Sequence, residues 1–186
     1  MSAHGHVDPS NKKVALLIAV LAAFLAFAET FAKSAQTEAL ARNIEASNLW
    51  SFFQAKTIRM TAVRTAAEEA ELQLPGASGE AKEAIAKRIQ DWRKTAARYD
   101  SEPETGEGRK ELAERAKAAE KKREVAMSAY HHHELASALL QLGIVLASAQ
   151  VITGAGFLLW AAGGLGVIGF IFTAIGFFAP TAVHLF

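Results

Sequence analysis

The sequence predicts an all-α membrane protein with three transmembrane helices and an elongated antiparallel helical stalk, of coiled-coil type, between spans 1 and 2. Three observations predict this fold class. Residues 135–178 contain no Asp, Glu, Lys or Arg, and this stretch is about twice as long as one membrane crossing requires. A second apolar run covers residues 14–28. The charged residues are concentrated between these two runs.

The composition limits the possible function classes. The net charge of +1 at pH 7 gives no reason to expect a nucleic-acid partner. The chain contains no cysteine, which excludes disulfides, thiolate metal sites and cysteine nucleophiles. No catalytic or nucleotide motif rises above background, so we expect neither an enzyme nor a bound cofactor. The lipid bilayer is the first partner that the sequence implies.

The first predicted span covers residues 12–32 and follows a flexible polar tail at residues 1–11. A cleaved signal peptide is the alternative, because Lys12 and Lys13 precede the apolar run and Ala26-Phe27-Ala28 has the form of a cleavage site. We interpret this segment as a signal anchor.

The orientation follows from the basic residues beside the spans. Lys12 and Lys13 on a short tail favour a cytoplasmic N-terminus, which places the stalk in the periplasm. Arg115, Lys121 and Arg123 approach the second span and favour the opposite orientation. Because the positive-inside rule gives little weight to long loops, we predict the first arrangement.

The extramembrane region, residues 33–134, predicts three helices. No Gly or Pro interrupts the chain from Lys12 until the stop signal Pro75-Gly76, so the first helix should continue out of the membrane. The predicted helices cover residues 33–74, 80–100 and 109–134, with a loop at 101–108. Both later helices must return along the first for the chain to regain the membrane. The stalk should therefore be antiparallel, with the first helix as one arm and the two shorter helices, end to end, as the other.

Apolar residues at helical spacing predict the core of this stalk. The residues expected to pack there are Phe52, Phe53, Met60, Val63, Ile85, Ile89 and Trp92. Trp50, Phe52 and Phe53 form an unusual aromatic group in a water-facing helix, and we expect it to be buried as core against the returning arm or another subunit. The alternative for this group is an amphipathic anchor that lies on the bilayer surface.

Charged residues predict the register of the stalk. If Lys33 and Leu135 both lie at the membrane surface, the numbers of facing residues sum to about 168. This register pairs Glu45 with Arg123, Arg42 with Glu124, and Lys56 with Glu111. Burying such charges without partners would be costly, so we expect these ion pairs to fix the register.

The apolar C-terminal segment predicts a helical hairpin, with spans at residues 135–153 and 157–178 around the turn-like Thr153-Gly154-Ala155-Gly156. Small residues at spacings of three and four predict close helix packing in lipid. They are Gly143, Ala147, Ala162, Gly166, Gly169, Thr173 and Gly176. Gly164, Gly166 and Gly169 also match a dinucleotide-binding fingerprint, but that motif requires a preceding strand and is rejected here.

Histidines stand at the start of the second span. Consecutive helical residues point about 100° apart, so His131, His132 and His133 cannot all bind one ion. Only His131 and Glu134, one turn apart, are weak candidates for a metal site, and they would need ligands from another helix. A cluster that marks the water boundary and a pH-responsive group are the alternatives.

Glu29 is the carboxylate at the end of the first span. Ion or proton handling is one interpretation of an acid in this position. The alternative is that it reaches water or a histidine of the second span. Gln141 and Gln150 are expected to bond to a neighbouring helix rather than to line a pore.

The stretch NIEASNLWSFFQAKTIR, residues 43–59, follows the alanine-rich first span and precedes Arg64-Thr65-Ala66. It resembles a bacterial domain-of-unknown-function family of small three-span proteins. The resemblance is specific over residues 12–72 and collinear through the C-terminus. It implies a multi-pass protein of the bacterial inner membrane with no established activity. Family members often carry basic residues in the turn between spans two and three, where this sequence is neutral.

Two functions follow as expectations. The first is a non-enzymatic, homo-oligomeric structural, assembly or accessory subunit. It would bind a larger membrane complex through its stalk and its glycine-striped hairpin. The alternative is an oligomeric ion channel or transporter subunit with Glu29 and the histidines near the pore mouth. Copy number and pore-lining residues distinguish the two.

Overall fold

The computed structural model describes residues 9–183. Its helices are α1 (Pro9–Gln73), α2 (Gly79–Asp100), α3 (Arg109–Thr153) and α4 (Phe157–Phe178). A short 3-10 turn, Leu74–Gly76, follows α1. The described residues contain no strand, so the predicted all-α class is confirmed. α1 begins inside the predicted flexible tail, and residues 1–8 of that tail lie outside the described residues.

Helix breakers explain the ends of these helices. Proline is tolerated in the first turn of a helix, so Pro9 begins α1 without disturbing it. The next proline, Pro75, coincides with the 3-10 turn that ends this helix. Gly79 and Gly154 have φ angles of +59° and +70°, a conformation that glycine adopts without strain. Gly154 therefore reverses the chain between α3 and α4.

Within the described residues, three helices are long and apolar enough to cross a membrane. The apolar windows of α1, α3 and α4 have mean hydropathies of 2.4, 1.9 and 2.0. Many of their large apolar side chains face outward; Leu16 and Trp160, for example, are 67% and 86% exposed. Such an apolar exterior is unfavourable in water and fits a lipid environment. The coarse prediction of a membrane protein with three spans therefore agrees with the structure.

The chain divides into two compact units. The first, called the membrane unit here, contains the described residues 9–40 and 123–183. The second, called the helical unit, is Ala41–Lys122. α1 and α3 contribute to both units, whereas α4 belongs to the membrane unit and α2 to the helical unit.

In the membrane unit, α1, α3 and α4 share two clusters of buried side chains. Leu21 and Ala28 of α1 pack with Ala136 and Leu140 of α3. The other cluster joins the N-terminal part of α1 to both later helices through Val14, Ala147 and Ala162. Several of these residues are alanines, which allow the helix axes to approach closely.

In the helical unit, α2 and α3 follow one another along α1, and both run antiparallel to it. Arg93 of α2 contacts Glu71 at 2.6 Å, and the Lys56 ammonium lies 5.3 Å from the ring centre of Tyr99. α3 then continues along α1, because Ala46 and Leu49 form a buried cluster with Leu112, Ala116 and Ala119. Within this unit, the arm opposite α1 consists of two separate helices, α2 and α3, as the sequence predicted.

The predicted stalk residues divide into three groups by burial. Met60 and Ile89 are buried, at 4% and 5% exposure. Phe53, Val63, Ile85 and Trp92 are partly buried. Burial of Phe52 against the returning arm was predicted wrongly, because its side chain is 63% exposed, whereas burial against another subunit stays a prediction. The reason is the helical rotation: Phe53 already faces α3, so the preceding residue points about 100° away from that core.

One predicted ion pair has different partners in the structure. The Lys56 ammonium lies 3.7 Å from the carboxylate of Glu107 and 4.0 Å from that of Glu102. Glu111, the predicted partner, accepts hydrogen bonds from the loop instead. The loop at residues 101–108 brings its own acids to Lys56, which a register based on helices alone does not include.

The other two predicted ion pairs involve Glu45 and Arg42. These side chains pair with each other at 2.8 Å along the same helix. Their predicted contacts with Arg123 and Glu124 stay predictions.

Candidate functional sites in the two units

Small residues form the contact surfaces between helices of the membrane unit. A Cβ atom on Gly143 would lie 3.2 Å from the carbonyl oxygen of Ala162, and one on Gly166 would lie 2.5 Å from Leu21. A Cβ on Gly169 would lie 2.9 Å from the side chain of Leu140. At these distances even a methyl group forces its neighbours to move. Glycine therefore permits the close contact of these three helices.

The predicted small-residue positions are all used within the chain itself. Six of the seven residues are buried: Gly143, Ala147, Ala162, Gly166, Gly169 and Gly176. Thr173 is partly buried, and its hydroxyl donates to the carbonyl oxygen of Gly169 at 2.9 Å. Because α1 and α3 already cover this stripe of α4, it is not an open surface for another protein.

His132 and His133 form a buried polar group at the end of the membrane unit. Their side chains are 1% and 3% exposed. His132 Nδ1 lies 2.7 Å from the carbonyl oxygen of Ser128, and since a carbonyl only accepts, this nitrogen carries the proton. A Cβ on Gly176 would lie 2.8 Å from the ring of His133. The absence of a side chain at Gly176 thus makes room for a histidine.

Phenylalanine side chains lie beside these histidines. The ring centre of His133 lies 5.6 Å from that of Phe31, and the ring centre of His132 lies 6.0 Å from that of Phe172. His132 Nε2 and His133 Nδ1 have no hydrogen-bond partner among the described residues. The sequence placed these histidines at the water boundary, and their burial against α4 was not predicted from it.

His131 and Glu134, the weak candidates for a metal site, lie beside one another. They already interact with each other and with a neighbouring side chain. His131 Nδ1 lies 3.9 Å from the carboxylate of Glu134. That carboxylate also accepts a hydrogen bond from the Tyr130 hydroxyl at 3.1 Å, which raises the pKa of Tyr130. The described residues contain no group of three or more His, Asp or Glu side chains that could hold a metal ion. The arrangement offers two ligands where stable metal sites use more.

Glu29 and Gln141 link α1 to α3. The Glu29 carboxylate accepts a hydrogen bond from the Gln141 side-chain amide at 3.2 Å, and the same amide lies 3.5 Å from the Ser137 hydroxyl. Glu29 and Gln141 are exposed, so this pair lies on the outside of the three helices and not between them.

Hydroxyl groups of the apolar helices are satisfied locally. Thr30, Ser148 and Thr153 each donate to the carbonyl oxygen four residues earlier, at 2.7–2.9 Å. Such bonds remove the need for a partner on another helix or in water. These hydroxyls therefore do not form a polar path through the membrane unit.

An open groove lined by phenylalanines lies between α1 and α4. Its volume is about 270 Å³, and its aromatic lining residues are Phe24, Phe27, Phe31, Phe170, Phe177 and Phe178. The rings of Phe24 and Phe170 pack edge to face with centres 5.2 Å apart. The surface that lines the groove is apolar.

The helical unit has an aromatic centre between α1 and α3. The indole N–H of Trp50 donates to the Glu120 carboxylate at 2.8 Å. The ring of Phe53 packs edge to face on Trp50, with centres 5.4 Å apart, and the Arg109 guanidinium lies 5.1 Å from its centre. The Trp50–Glu120 contact aligns α1 and α3 in a register close to the predicted one. The hydrogen bond itself was not predicted, because sequence spacing does not show which polar atom an indole finds.

Two carboxylates stabilise the loop between α2 and α3 through hydrogen bonds and ion pairs. Asp100 contacts Lys110 at 3.0 Å and Arg109 at 3.5 Å, and the hydrogen bond from Lys110 contributes most to lowering its pKa. The Glu111 carboxylate accepts from the Ser101 hydroxyl at 2.6 Å and from the Glu102 backbone N–H at 3.1 Å. These bonds, the one from Ser101 foremost, lower the pKa of Glu111. Both groups favour the folded loop in their charged form.

A groove of about 410 Å³ lies beside this loop, between α1 and α3. It is lined by Leu49, Phe52, Ala55, Lys56, Arg59, Glu107, Leu112 and Arg115. Its floor is apolar, and its rim combines three cations with one acid. The exposed Phe52 forms part of one wall. Lys56 and Glu107 of this lining lie 3.7 Å apart.

The sequence model of the family Domain of unknown function (DUF4337) matches residues 10–179. The chain belongs to this family. No curated protein and no solved structure matches the chain. The resemblance to a family of unknown function is thereby confirmed. The DUF4337 match includes the described parts of both units from residue 10 to residue 179, so neither unit is an addition to the family domain.

Proposed function

We propose that this protein is a non-enzymatic, homo-oligomeric component of the bacterial inner membrane. It acts as a structural, assembly or accessory subunit of a larger membrane complex. The membrane unit anchors each copy, and the helical unit provides the surfaces that bind other copies and partner proteins. The N-terminus lies in the cytoplasm and the helical unit in the periplasm.

The packing of the membrane unit is the observation that supports this proposal. Leu21, Ala28, Ala136 and Leu140 fill the space between α1 and α3 and are at most 3% exposed. Small residues of α4 close the remaining contacts. Among the described residues, the interior between these helices is therefore closely packed. The close packing is what we expect of an anchor. Binding of other proteins is therefore assigned to the helical unit.

The helical unit adds support through its surface chemistry. Its 410 Å³ groove combines an apolar floor with charged groups, a lining that suits a segment of another protein. This combination of apolar and charged side chains supports a binding role.

Native mass spectrometry after mild detergent extraction tests the proposal. We expect complexes that contain several copies of the chain, alone or with another membrane protein. A strictly monomeric chain without bound protein, extracted at the mildest conditions that release it, would contradict the proposal.

An ion channel or transporter subunit is the second candidate, and Glu29 is the observation that favours it. The Glu29 carboxylate and the Gln141 amide face outward from the three helices, where a ring of copies would place them around a shared axis. In this case the conducting path lies between copies. His132 and His133 do not line it, because both are buried inside one chain.

Reconstituted liposomes separate the two candidates. The transport candidate predicts that purified protein increases proton or cation flux and that Glu29→Gln reduces this increase several-fold. The matched control is Glu80→Gln, an exposed acid at the start of α2. Flux equal to that of empty liposomes, with an intact oligomer, favours the structural candidate.

A further inference from the structure

An uncharged face of α1 lies opposite the core of the helical unit. Its members recur at spacings of three and four residues, so they form one stripe along the helix. They are Ile44, Ser47, Ser51, Ala55, Ile58, Ala62 and Thr65, and all are exposed. The exposed fractions of Ile44 and Ile58 are 53% and 69%. This set of residues is called the α1 stripe below.

The charges of this part of α1 lie away from the stripe. They are Arg42, Glu45, Lys56, Arg59 and Arg64. At about 100° per residue, all of them are at least about 80° from the centre of the stripe. A solvated helix normally carries its charges on the face opposite the core. α2 follows this rule, with Lys87, Asp91 and Lys94 on its exposed side, whereas α1 does not.

We propose that the α1 stripe binds the α1 stripe of a second copy of this chain, with the two helices parallel. This inference rests on the proposed function, which requires a homo-oligomer. α1 is one continuous helix whose N-terminal part carries the first apolar segment. Copies in one bilayer therefore present α1 in the same direction. Around a two-fold axis along the membrane normal, each residue of the stripe meets the same residue of the second copy or its neighbours.

This symmetry accounts for the missing charges. A charged side chain on the stripe would meet an identical charge on the second copy, and like charges oppose association. A different protein could supply the opposite charge, whereas a contact between identical faces penalises every charge at its centre. An exposed helix face without charge over about 30 Å therefore fits pairing between identical chains.

The spacing of the stripe supports helix pairing. Ile44, Ser51, Ile58 and Thr65 are seven residues apart, which is the repeat of a left-handed coiled coil. The Ser51 hydroxyl already donates to the carbonyl oxygen of Ser47 at 2.9 Å, so its burial leaves no donor without a partner. Two isoleucines per chain bury little apolar area. The pairing therefore depends on the high local concentration of chains that share a membrane or an oligomer.

A single-cysteine experiment tests this interface in native membranes, because the chain has no cysteine of its own. Ser51→Cys places one thiol at the centre of the stripe. A disulfide between copies requires Cα atoms within about 7 Å, which parallel pairing provides. The matched control is Ala97→Cys, an exposed position on α2. Mild oxidation should give a several-fold larger dimer fraction for S51C than for A97C on non-reducing gels.

A charge placed beside the thiol provides the second measurement. Adding Ile58→Lys to S51C puts two lysines against each other, and the dimer fraction should fall several-fold. The control adds Ala86→Lys, an exposed position on α2, which should leave the fraction unchanged. Both variants change exposed side chains, so the folded helical unit is retained.

The remaining outcomes overturn the inference in different ways. Equal dimer fractions for S51C and A97C indicate random collision, and a disulfide to a different protein assigns the stripe to that protein. If S51C gives no dimer while native mass spectrometry finds several copies, the interface is wrong and the proposed function stands. A single copy in both measurements removes the inference and the proposed function together.

Discussion

At the residue scale, the helical unit depends on polar atoms that find charged partners. Trp50 is the clearest case, because its indole N–H reaches the Glu120 carboxylate from the opposite helix at 2.8 Å. The ring also packs on Phe53. The bond joins α1 to α3 and fixes their register at a position where the neighbouring core consists largely of alanine.

Replacing Trp50 with Phe should therefore destabilise the protein. The variant removes the indole donor but keeps an aromatic ring, and we expect a loss of about 1 kcal/mol in the free energy of unfolding. Glu120→Gln keeps an acceptor for the indole and should cost less. Denaturant unfolding followed by circular dichroism in detergent measures both. Equal stability of W50F and the natural protein would show that the hydrogen bond contributes nothing.

The two carboxylates that flank the loop, Asp100 and Glu111, predict that the stability of the helical unit depends on pH. The pKa values of Asp100 and Glu111 are lowered in the folded protein, chiefly by the hydrogen bonds from Lys110 and Ser101. A carboxylate with a lowered folded-state pKa stabilises the fold above its unfolded pKa. This stabilisation is lost as the pH falls through the lower folded-state value. The helical unit should thus become less stable below about pH 4, where the unfolded chain takes up protons on these carboxylates before the folded chain does.

The double variant Asp100→Asn with Glu111→Gln isolates these two groups. At pH 7 it should be less stable than the natural protein, and the difference should shrink as the pH is lowered from 5 towards 3. Asp91→Asn, an exposed carboxylate on α2, serves as the control for adding an amide. A stability difference that stays constant over this pH range would show that neither carboxylate stabilises the loop through its charge.

At the scale of the elements, glycine positions decide how closely the membrane helices pack. Gly169 and Gly164 lie on the same helix in different surroundings. A Cβ on Gly169 would lie 2.9 Å from Leu140 and 3.2 Å from the carbonyl oxygen of Ala136, whereas a Cβ on Gly164 would have no atom within 4 Å. The two positions provide a matched pair of substitutions in one element.

Gly169→Leu should destabilise the membrane unit by about 1–3 kcal/mol, because the new side chain must separate α3 from α4. Gly164→Leu adds the same atoms where space is free and should change stability little. Thermal unfolding in detergent, followed by circular dichroism, compares the two variants. The helix contacts described here would be wrong if the two variants had equal stabilities.

The helices themselves could be predicted from the sequence because local chemistry determines them. Pro75 and Gly76 mark the end of α1, and the uncharged stretch with its glycine-rich turn gives α3, α4 and the break between them. The recurrence of small residues likewise identified the inner face of α4. These features depend on residues that are near one another in the chain.

The features that could not be predicted depend on contacts between distant residues. His132 and His133 look like boundary residues in the sequence, and only the gap beside Gly176 allows their burial. Phe52 looks like a core residue, and the helical rotation turns it outward. Lys56 binds acids of the loop, whose path no periodic pattern describes.

At the scale of the whole molecule, α1 and α3 each combine an apolar segment with a charged one. The apolar part of α1 comes first and that of α3 comes last. If the three apolar segments cross a bilayer, as we propose, α1 leads the chain out of the membrane and α3 leads it back without an intervening loop. On this proposal α4 crosses once more after the turn at Gly154.

This order of helices predicts that Ser78 and Thr153 lie on opposite sides of the membrane. One apolar segment, that of α3, separates Ser78 before α2 from Thr153 at the end of α3. With the N-terminus in the cytoplasm, an impermeant maleimide added to intact spheroplasts should label Ser78→Cys. It should label Thr153→Cys only after the membrane is permeabilised. The natural protein, which has no cysteine, gives the background. The reversed pattern would change the orientation and keep the three spans, whereas labelling of both positions from one side would mean that α3 does not cross the membrane.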